Sequence, residues 1–296
     1  MSMRTTSSKP APIEAPAAAP GKLYIVGTPI GNLEDMTFRA IRTLKEVDLI
    51  ACEDTRRTAK LLNHYSVSTR TISYHEHNEM TRAPELIIDL EQGSQIALVS
   101  DAGMPVISDP GYRLVKLAIR HGVPVIPVPG ASAFLAALAA AGLPVDKFRF
   151  LGFLPPRRLA RQKALKEAKD SSKTLIFYEA PHRVTDMLAD VERVMGDPSV
   201  VVAREVTKIY EEFLRGSASE VLAVLKRKPV RGEITVLVGP PASPDGNGSD
   251  GRSLRAELAA IMVERGLDER AALKVLARSR RISKSEAYRQ LQAEKE

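Results

Sequence analysis

The chain has 296 residues, of which 44% are hydrophobic, and it carries a net charge of +7 at neutral pH. This length suffices for two α/β domains or one large one, and the hydrophobic fraction is ordinary for a globular protein. No apolar run reaches the roughly 18 residues that a membrane-spanning helix needs. The absence of Trp argues against a base-stacking platform for single strands.

The single cysteine and the N-terminal composition indicate the compartment. Cys52 has no partner for an intramolecular disulfide and lies in an apolar run, so we expect a core residue in a reducing environment. Residues 1–21 are rich in Ala, Pro and Ser and lack the hydrophobic segment of a signal peptide, which predicts a disordered leader. Together these features predict a cytoplasmic protein.

Apolar, β-branched runs alternate with helix-like segments from residue 22 to about 130. The pattern predicts short strands over residues 23–26, 48–52, 70–73, 96–100 and 123–128. It predicts helices over residues 37–47, 55–65, 81–91 and 111–121. This alternation is typical of a mostly parallel sheet covered by helices, and it predicts an N-terminal α/β domain over residues 22–135.

The second half begins with a small-residue helix over 131–142 and then alternates again. The pattern there predicts strands over residues 148–154, 174–178, 200–203 and 234–238, and helices over residues 158–169 and 182–195. We therefore predict a C-terminal α/β domain over residues 136–240. Residues 241–251 are polar and rich in Gly, Ser and Asp, which is typical of a linker.

Positive charge is concentrated in two segments. Residues 155–183 contain eight Lys or Arg against three Asp or Glu, and residues 251–296 contain eleven against seven. Such an excess either attracts a polyanion or forms a solvated helix face. We predict that residues 252–296 form a small basic helical extension, with helices over 268–279 and 283–292, which serves either RNA binding or dimerisation.

The first predicted strand ends in the turn Gly27-Thr28-Pro29-Ile30-Gly31. A turn without bulky side chains lets backbone N–H groups approach a small ligand, although a tight connection alone would look the same. The glycines are spaced G-x-x-x-G. A dinucleotide site needs G-x-G-x-x-G and a phosphate loop needs G-x-x-x-x-G-K, so neither NAD nor ATP is the favoured ligand.

Other loops after predicted strands are also polar or rich in Gly and Pro. Glu53 and Asp54 follow the second strand, where they suit a ribose or a cation, but Asp54 suits a helix cap equally well. His75 and His77 form a His-x-His pair for which a solvated or RNA-facing loop is favoured over a metal. The longest of these loops covers residues 100–111, and another covers 127–132. In open α/β sheets such loops line one pocket.

Loops in the second half mix acidic and basic residues. The segments 177–183 and 203–208 carry Glu, Arg and Lys directly after strands, which suits a phosphate-bearing substrate. Each segment is also explained by a surface ion-pair network.

Taken in order, these segments resemble the tetrapyrrole methylase superfamily, in particular its members that methylate ribosomal RNA. The motifs are Thr28–Leu33, Glu53–Arg56, Ser100–Gly103 with Asp109–Gly111, Phe177–Arg183, and Ala203–Lys208. The match covers about residues 22 to 240. It implies a two-domain α/β fold with a small C-terminal helical extension, S-adenosyl-L-methionine as methyl donor in the cleft between the domains, and a homodimer. It also implies an acceptor, the 2′-hydroxyl of a cytidine in the decoding region of 16S rRNA within the 30S subunit.

By position, the resemblance assigns donor binding to Thr28, Pro29, Gly31, Asp101, Ala102, Gly103, Pro129, Gly130 and Ser132. Met104 stands where relatives often carry Thr, so a hydroxyl contact to the donor would be missing here, whereas a backbone contact would survive. Methyl transfer from a sulfonium needs no metal, but a ribose hydroxyl benefits from a base or a nearby cation. The candidates for the chemical step are Glu179, His182, Glu205 and Lys208, with Asp54 as a less favoured one. Arg56, Arg183 and Arg204 are predicted to bind RNA phosphates.

Three other functions remain open at this point. The superfamily fold also suits a methylase of a small tetrapyrrole, since a fold does not fix a function. An RNA-binding assembly factor without catalysis would not need the Gly- and Pro-rich loops. A dinucleotide-dependent oxidoreductase, with Glu53 or Asp54 on the ribose, is disfavoured by the missing G-x-G-x-x-G.

Overall fold

The computed structural model describes residues 19–169, 172–227, 229–241, 254–279 and 282–293. Residues 1–18 of the predicted leader and 242–251 of the predicted linker lie outside the described residues. The chain divides into two compact units. Of the described residues, the first unit contains those up to Ala136 and the short segment Glu205–Glu211, and the second contains those from Ala137 to Arg204 and from Glu212 onward.

The first unit is built on a parallel sheet, as the alternating pattern predicts. Its strands are β1 (Lys22–Val26), β2 (Leu49–Cys52), β3 (Thr71–Ser73), β4 (Gln95–Val99) and β5 (Val125–Val128). They lie in the order β3-β2-β4-β1-β5, and every neighbouring pair is parallel. The carboxyl ends of all five strands therefore lie at one edge of the sheet, where ligands bind in open α/β sheets.

Apolar cores lie on both faces of this sheet. The helices of this unit are α1 (Phe38–Glu46), α2 (Thr55–His64), α3 (Glu79–Glu91) and α4 (Tyr112–Arg120). The next helix, α5 (Ala133–Ala141), begins in the first unit and ends in the second. Along β1, Leu23 and Ile25 pack into one core while Val26 packs into the other, because successive side chains of a strand point to opposite faces. Cys52 is buried in the second core, as expected from its apolar neighbours.

The second unit contains a mixed sheet. Its strands are β6 (Phe148–Phe153), β7 (Thr174–Glu179), β8 (Ser199–Arg204), β9 (Glu212–Ser217) and β10 (Ile234–Val238), in the order β6-β7-β10-β8-β9. Only β6 and β7 are parallel, and the other pairs are antiparallel. The helices are α6 (Arg158–Lys169), α7 (Val184–Met195) and α8 (Ala218–Leu225), and they share one core with alternate residues of β7, β8 and β10. The sequence prediction did not include β9 and α8.

Three helices end the described chain: α9 (Leu254–Arg265), α10 (Glu269–Ser279) and α11 (Lys284–Ala293). They pack around an apolar cluster of their own. The predicted pair of helices at 268–279 and 283–292 is confirmed, and α9 precedes it. Among the described residues, no helix combines the length and apolar character needed to cross a membrane.

Candidate active site

The loops after β1 and β4 are joined by backbone hydrogen bonds. Thr28 and Gly103 form an isolated antiparallel bridge, with N–H···O distances of 2.9 and 3.1 Å. The Thr28 hydroxyl also donates to the Ser100 carbonyl at 3.2 Å, and Thr28 is buried. Since these hydroxyl and backbone groups are occupied by the protein, Thr28 fixes the shape of the two loops.

The loop after β5 approaches the loop after β1 so closely that both need glycine. A Cβ atom placed on Gly27 would lie 2.7 Å from the Cα of Gly130 and 2.7 Å from the sulfur of Met104. A Cβ atom on Gly130 would lie 2.8 Å from the backbone of Gly27. The sulfur of Met104 thus lies against the β1 turn. The three loops after β1, β4 and β5 form one backbone surface at the carboxyl edge of the sheet.

Carboxylates are concentrated at this edge, and those of Glu53, Asp101 and Asp109 interact with one another. Asp101 accepts hydrogen bonds from the Asp54 N–H at 3.2 Å and from Arg57 at 3.1 Å. Burial, and next the charge of Asp101, raises the pKa of Glu53. Burial, followed by the charges of Glu53 and Asp101, raises the pKa of Asp109 to about 6. A concentration of negative charge of this kind favours a cationic ligand.

We expect Asp109→Asn to stabilise the folded protein at pH 8 and to leave its stability unchanged at pH 4. The folded state binds the Asp109 proton more tightly than the unfolded chain does, so stability is lost as the pH rises through about 6. A shift of about two pH units corresponds to at most roughly 3 kcal/mol, and solvent screening at this half-buried position lowers the expected gain to about 1 kcal/mol.

Urea unfolding at the two pH values measures this gain. Asp146→Asn changes an exposed aspartate in the same chain and serves as the matched control, with no gain expected at either pH. If Asp109→Asn is no more stable than the unchanged protein at pH 8, the carboxylate is not destabilised in the fold.

Two residues that were predicted to take part in the chemical step, Glu205 and Lys208, belong to the first unit, because the segment Glu205–Glu211 lies there. Lys208 and Glu205 form an ion pair at 2.9 Å, and Glu205 and Thr207 have positive φ angles of 52° and 70°. The side chain of Lys208 lies over Gly31, where an added Cβ would fall 2.3 Å from the Lys208 Cγ. Gly31 was predicted to contact the donor, and the structure places the stem of Lys208 against it.

The other predicted chemical-step residues lie in the second unit. Glu179 ends β7 with a fully buried carboxylate, whose Oε1 accepts from the Ala180 N–H at 2.8 Å and faces the Arg183 Nε at 3.3 Å. Arg183 also donates to the Leu154 carbonyl at 2.9 Å. His182 is exposed in the same turn. Arg183 therefore lies between the Glu179 carboxylate and the Leu154 carbonyl.

Arg204 lies at the same end of the second sheet as Glu179. Both residues pair with Ile234 of β10, from opposite sides, so they are two strand spacings or roughly 10 Å apart. Arg204 forms an ion pair with Glu212 at 3.0 Å. Arg56 is exposed on α2, and its backbone N–H donates to Asp54, the N-cap of that helix.

The remaining predicted donor residues lie on the three joined loops. Pro29 is buried, Ala102 and Pro129 are exposed, and Ser132 lies one turn before Ala136, whose N–H donates to its carbonyl. The sequence interpretation missed Arg57, which is the residue that pairs with Asp101. Among the described residues, no group of three or more His, Cys, Asp or Glu side chains is arranged to hold a metal ion, and His75 and His77 stand with ring centres 6.0 Å apart.

Comparisons with known proteins identify the family of the chain. Residues 22–222 match the profile of the family described as tetrapyrrole (corrin/porphyrin) methylases. A protein named ribosomal RNA small subunit methyltransferase I from Halalkalibacterium halodurans is 55% identical over 228 residues, which are 77% of this chain and 77% of that protein. A protein of the same name from Thermotoga maritima is 50% identical over 218 residues, which are 74% of this chain and 98% of that protein.

A solved structure supports the fold. The X-ray structure of a cobalt precorrin-4 methyltransferase, an enzyme of cobalamin biosynthesis, has a TM-score of 0.57. The alignment covers 74% of this chain and 94% of that chain, at 18% sequence identity. At this identity the likeness concerns the fold, and it leaves the substrate open.

Proposed function

Since the chain belongs to the tetrapyrrole (corrin/porphyrin) methylase family, we propose that it methylates small-subunit ribosomal RNA. The finer proposal is transfer of a methyl group from S-adenosyl-L-methionine to the 2′-oxygen of a cytidine ribose in the decoding region of 16S rRNA. The observation that carries the proposal is the 55% identity to a ribosomal RNA small subunit methyltransferase I over 77% of the chain. We further propose that the protein acts as a homodimer in the cytoplasm on rRNA within the 30S subunit.

The donor fits the residues at the carboxyl edge of the first sheet. S-adenosyl-L-methionine supplies an activated methyl group on a positively charged sulfur. Glu53, Asp101 and Asp109 provide the negative charge that favours such a cation. Thr28 and Gly103 are buried and use their backbone groups on each other, so they set the shape of the joined loops, while Gly27 and Gly130 let the loops approach closely. We propose that these loops, with Pro29, Ala102, Pro129 and Ser132, hold the donor.

The proposed roles of the other residues follow from their contacts. Glu179 has a buried Oε2 that accepts no hydrogen bond from the described residues, which suits it to receive a proton or a substrate donor. Lys208, paired with Glu205, brings a cation next to the β1 turn, where it can stabilise negative charge on an oxygen. His182 is an exposed second candidate for the proton. Arg183, Arg204 and Arg56 are proposed to bind phosphates of the RNA.

A labelling experiment tests the proposal. The purified protein is incubated with donor carrying a labelled methyl group and with 30S particles from a strain lacking the modification, with naked 16S rRNA in parallel. We expect label on one cytidine ribose of the small-subunit RNA. If the protein binds the donor and methylates a porphyrinogen but labels no RNA, it is a tetrapyrrole methylase instead. If the protein does not bind the donor, methyl transfer itself is contradicted.

A further inference from the structure

The helices α9, α10 and α11, called the C-terminal module below, are a distinct part of the molecule. Leu258, Leu273, Leu276, Ala287 and Leu291 are buried in a cluster formed by these three helices. The family profile ends at residue 222. The alignment with the Thermotoga maritima relative covers nearly all of that protein, 98%, but only 74% of this chain. The methylase fold therefore does not require the module, and its surface is available for another task.

One face of α10 carries a row of cations. Arg270, Lys274 and Arg278 are exposed and follow one another at intervals of four residues. Residues four apart lie on the same side of a helix at steps of about 6 Å, so the row spans about 12 Å. Within the described part of the chain, no acidic side chain forms an ion pair with any of the three. The row therefore presents uncompensated positive charge.

A groove between the three helices adjoins this row at Arg270. It has a volume of about 680 Å³, and the apolar residues that line it include Leu258, Met262 and Leu273. Lys284 and Tyr288, one turn apart on α11, line the same groove, and Tyr288 is 55% exposed. Glu269 is the one acidic side chain among the lining residues of this groove. One aromatic ring beside cations suits a single stacked base with a neutralised phosphate, which does not require the extended row of aromatic residues that this Trp-free sequence lacks.

From these features we infer that the C-terminal module binds an RNA strand, with backbone phosphates along Arg270, Lys274 and Arg278 and a base at Tyr288. The inference rests on the proposed function, since the RNA in question is the ribosomal RNA to be methylated. The module then supplies affinity for the RNA, while donor binding belongs to the loops of the first unit.

The test uses the full chain with the triple change Arg270→Gln, Lys274→Gln and Arg278→Gln. Affinity for naked 16S rRNA is measured at several salt concentrations, and methyl transfer to 30S particles is measured in parallel. Each phosphate contact to a single strand contributes about 0.7 to the slope of log affinity against log salt, so we expect the slope to fall by about two and the affinity at low salt to fall at least tenfold. Donor affinity and the thermal unfolding curve should not change.

A matched pair of single variants controls for net charge. Lys274→Gln is expected to lower the salt slope by about 0.7, whereas Arg265→Gln, which removes an exposed cation of α9 outside the groove lining, should leave it unchanged. A folded triple variant with the unchanged affinity and slope would overturn the inference. Loss of 30S methylation with full affinity for naked rRNA would also overturn it, because the partner would then be a ribosomal protein. If the unchanged protein methylates no RNA, the proposed function itself fails.

Discussion

Replacing Gly27 by alanine is expected to weaken donor binding at least a hundredfold. The added Cβ would lie 2.7 Å from the Cα of Gly130 and 2.7 Å from the Met104 sulfur. A methionine side chain can move aside, but the Gly130 contact is with backbone, so the loops after β1 and β5 must separate. Overpacking of this kind typically costs about 1–3 kcal/mol, and here it distorts the surface proposed to hold the donor. Calorimetric titration with S-adenosyl-L-methionine measures the effect.

Two further variants make this result specific. Gly122→Asn adds a larger side chain in open space, at a left-handed backbone position that Asn tolerates. This control protein should bind the donor with the affinity of the unchanged protein. The double variant Gly27→Ala with Met104→Ala removes the sulfur contact and leaves the backbone contact, so we expect no recovery. Unchanged donor affinity in Gly27→Ala would show that the joined loops do not form the donor site.

Local patterns in the sequence were sufficient to predict the parallel sheet of the first unit. Short apolar strands such as Leu23–Val26 alternate with helices whose starts are marked by capping residues. Thr37 and Asp54 are the N-caps of α1 and α2, and the side chain of each accepts a hydrogen bond from a backbone N–H of its helix. Parallel strands joined by helices bring their carboxyl ends to one edge, which is why Thr28, Gly103 and Gly130 were predicted to lie near one another. The helix-cap interpretation of Asp54 is confirmed.

The second unit shows where such patterns are too weak. β9 has the sequence Glu-Phe-Leu-Arg-Gly-Ser and is only partly buried at the sheet edge, so it lacks the apolar alternation that identifies a strand. α8 did carry a readable signal, because Ser217 and Glu220 form a capping box at its start. The antiparallel position of β10 between β7 and β8 depends on contacts distant in sequence, and no local pattern encodes it.

Site contacts between distant residues were also beyond the sequence. Arg57, rather than its neighbour Arg56, pairs with Asp101, and the helical direction of each side chain decides between them. Gly31 and Lys208 are 177 positions apart, yet their contact explains why position 31 has no side chain. The raised pKa of Asp109 requires the burial and the charges of Glu53 and Asp101, which the fold brings together.

A double-mutant cycle distinguishes the two interpretations of Gly31, as a donor contact and as the residue that makes room for Lys208. Gly31→Ala places a Cβ 2.3 Å from the Lys208 Cγ, so the lysine stem must leave its position. If Lys208 stabilises charge in the reaction as proposed, we expect Gly31→Ala and Lys208→Ala each to slow methyl transfer to 30S particles by about a hundredfold, the lower end of the range for such groups.

The two changes should not be additive, since both remove the same cation from the β1 turn. The double variant is therefore expected to turn over as slowly as Lys208→Ala alone, with donor affinity unchanged in all three proteins. Lys60→Ala, which removes an exposed lysine of α2, is the matched control and should retain full activity. If Gly31→Ala slows the Lys208→Ala protein as much as it slows the unchanged one and also weakens donor binding, Gly31 acts on the donor directly. The effect of Gly31→Ala would then not act through Lys208.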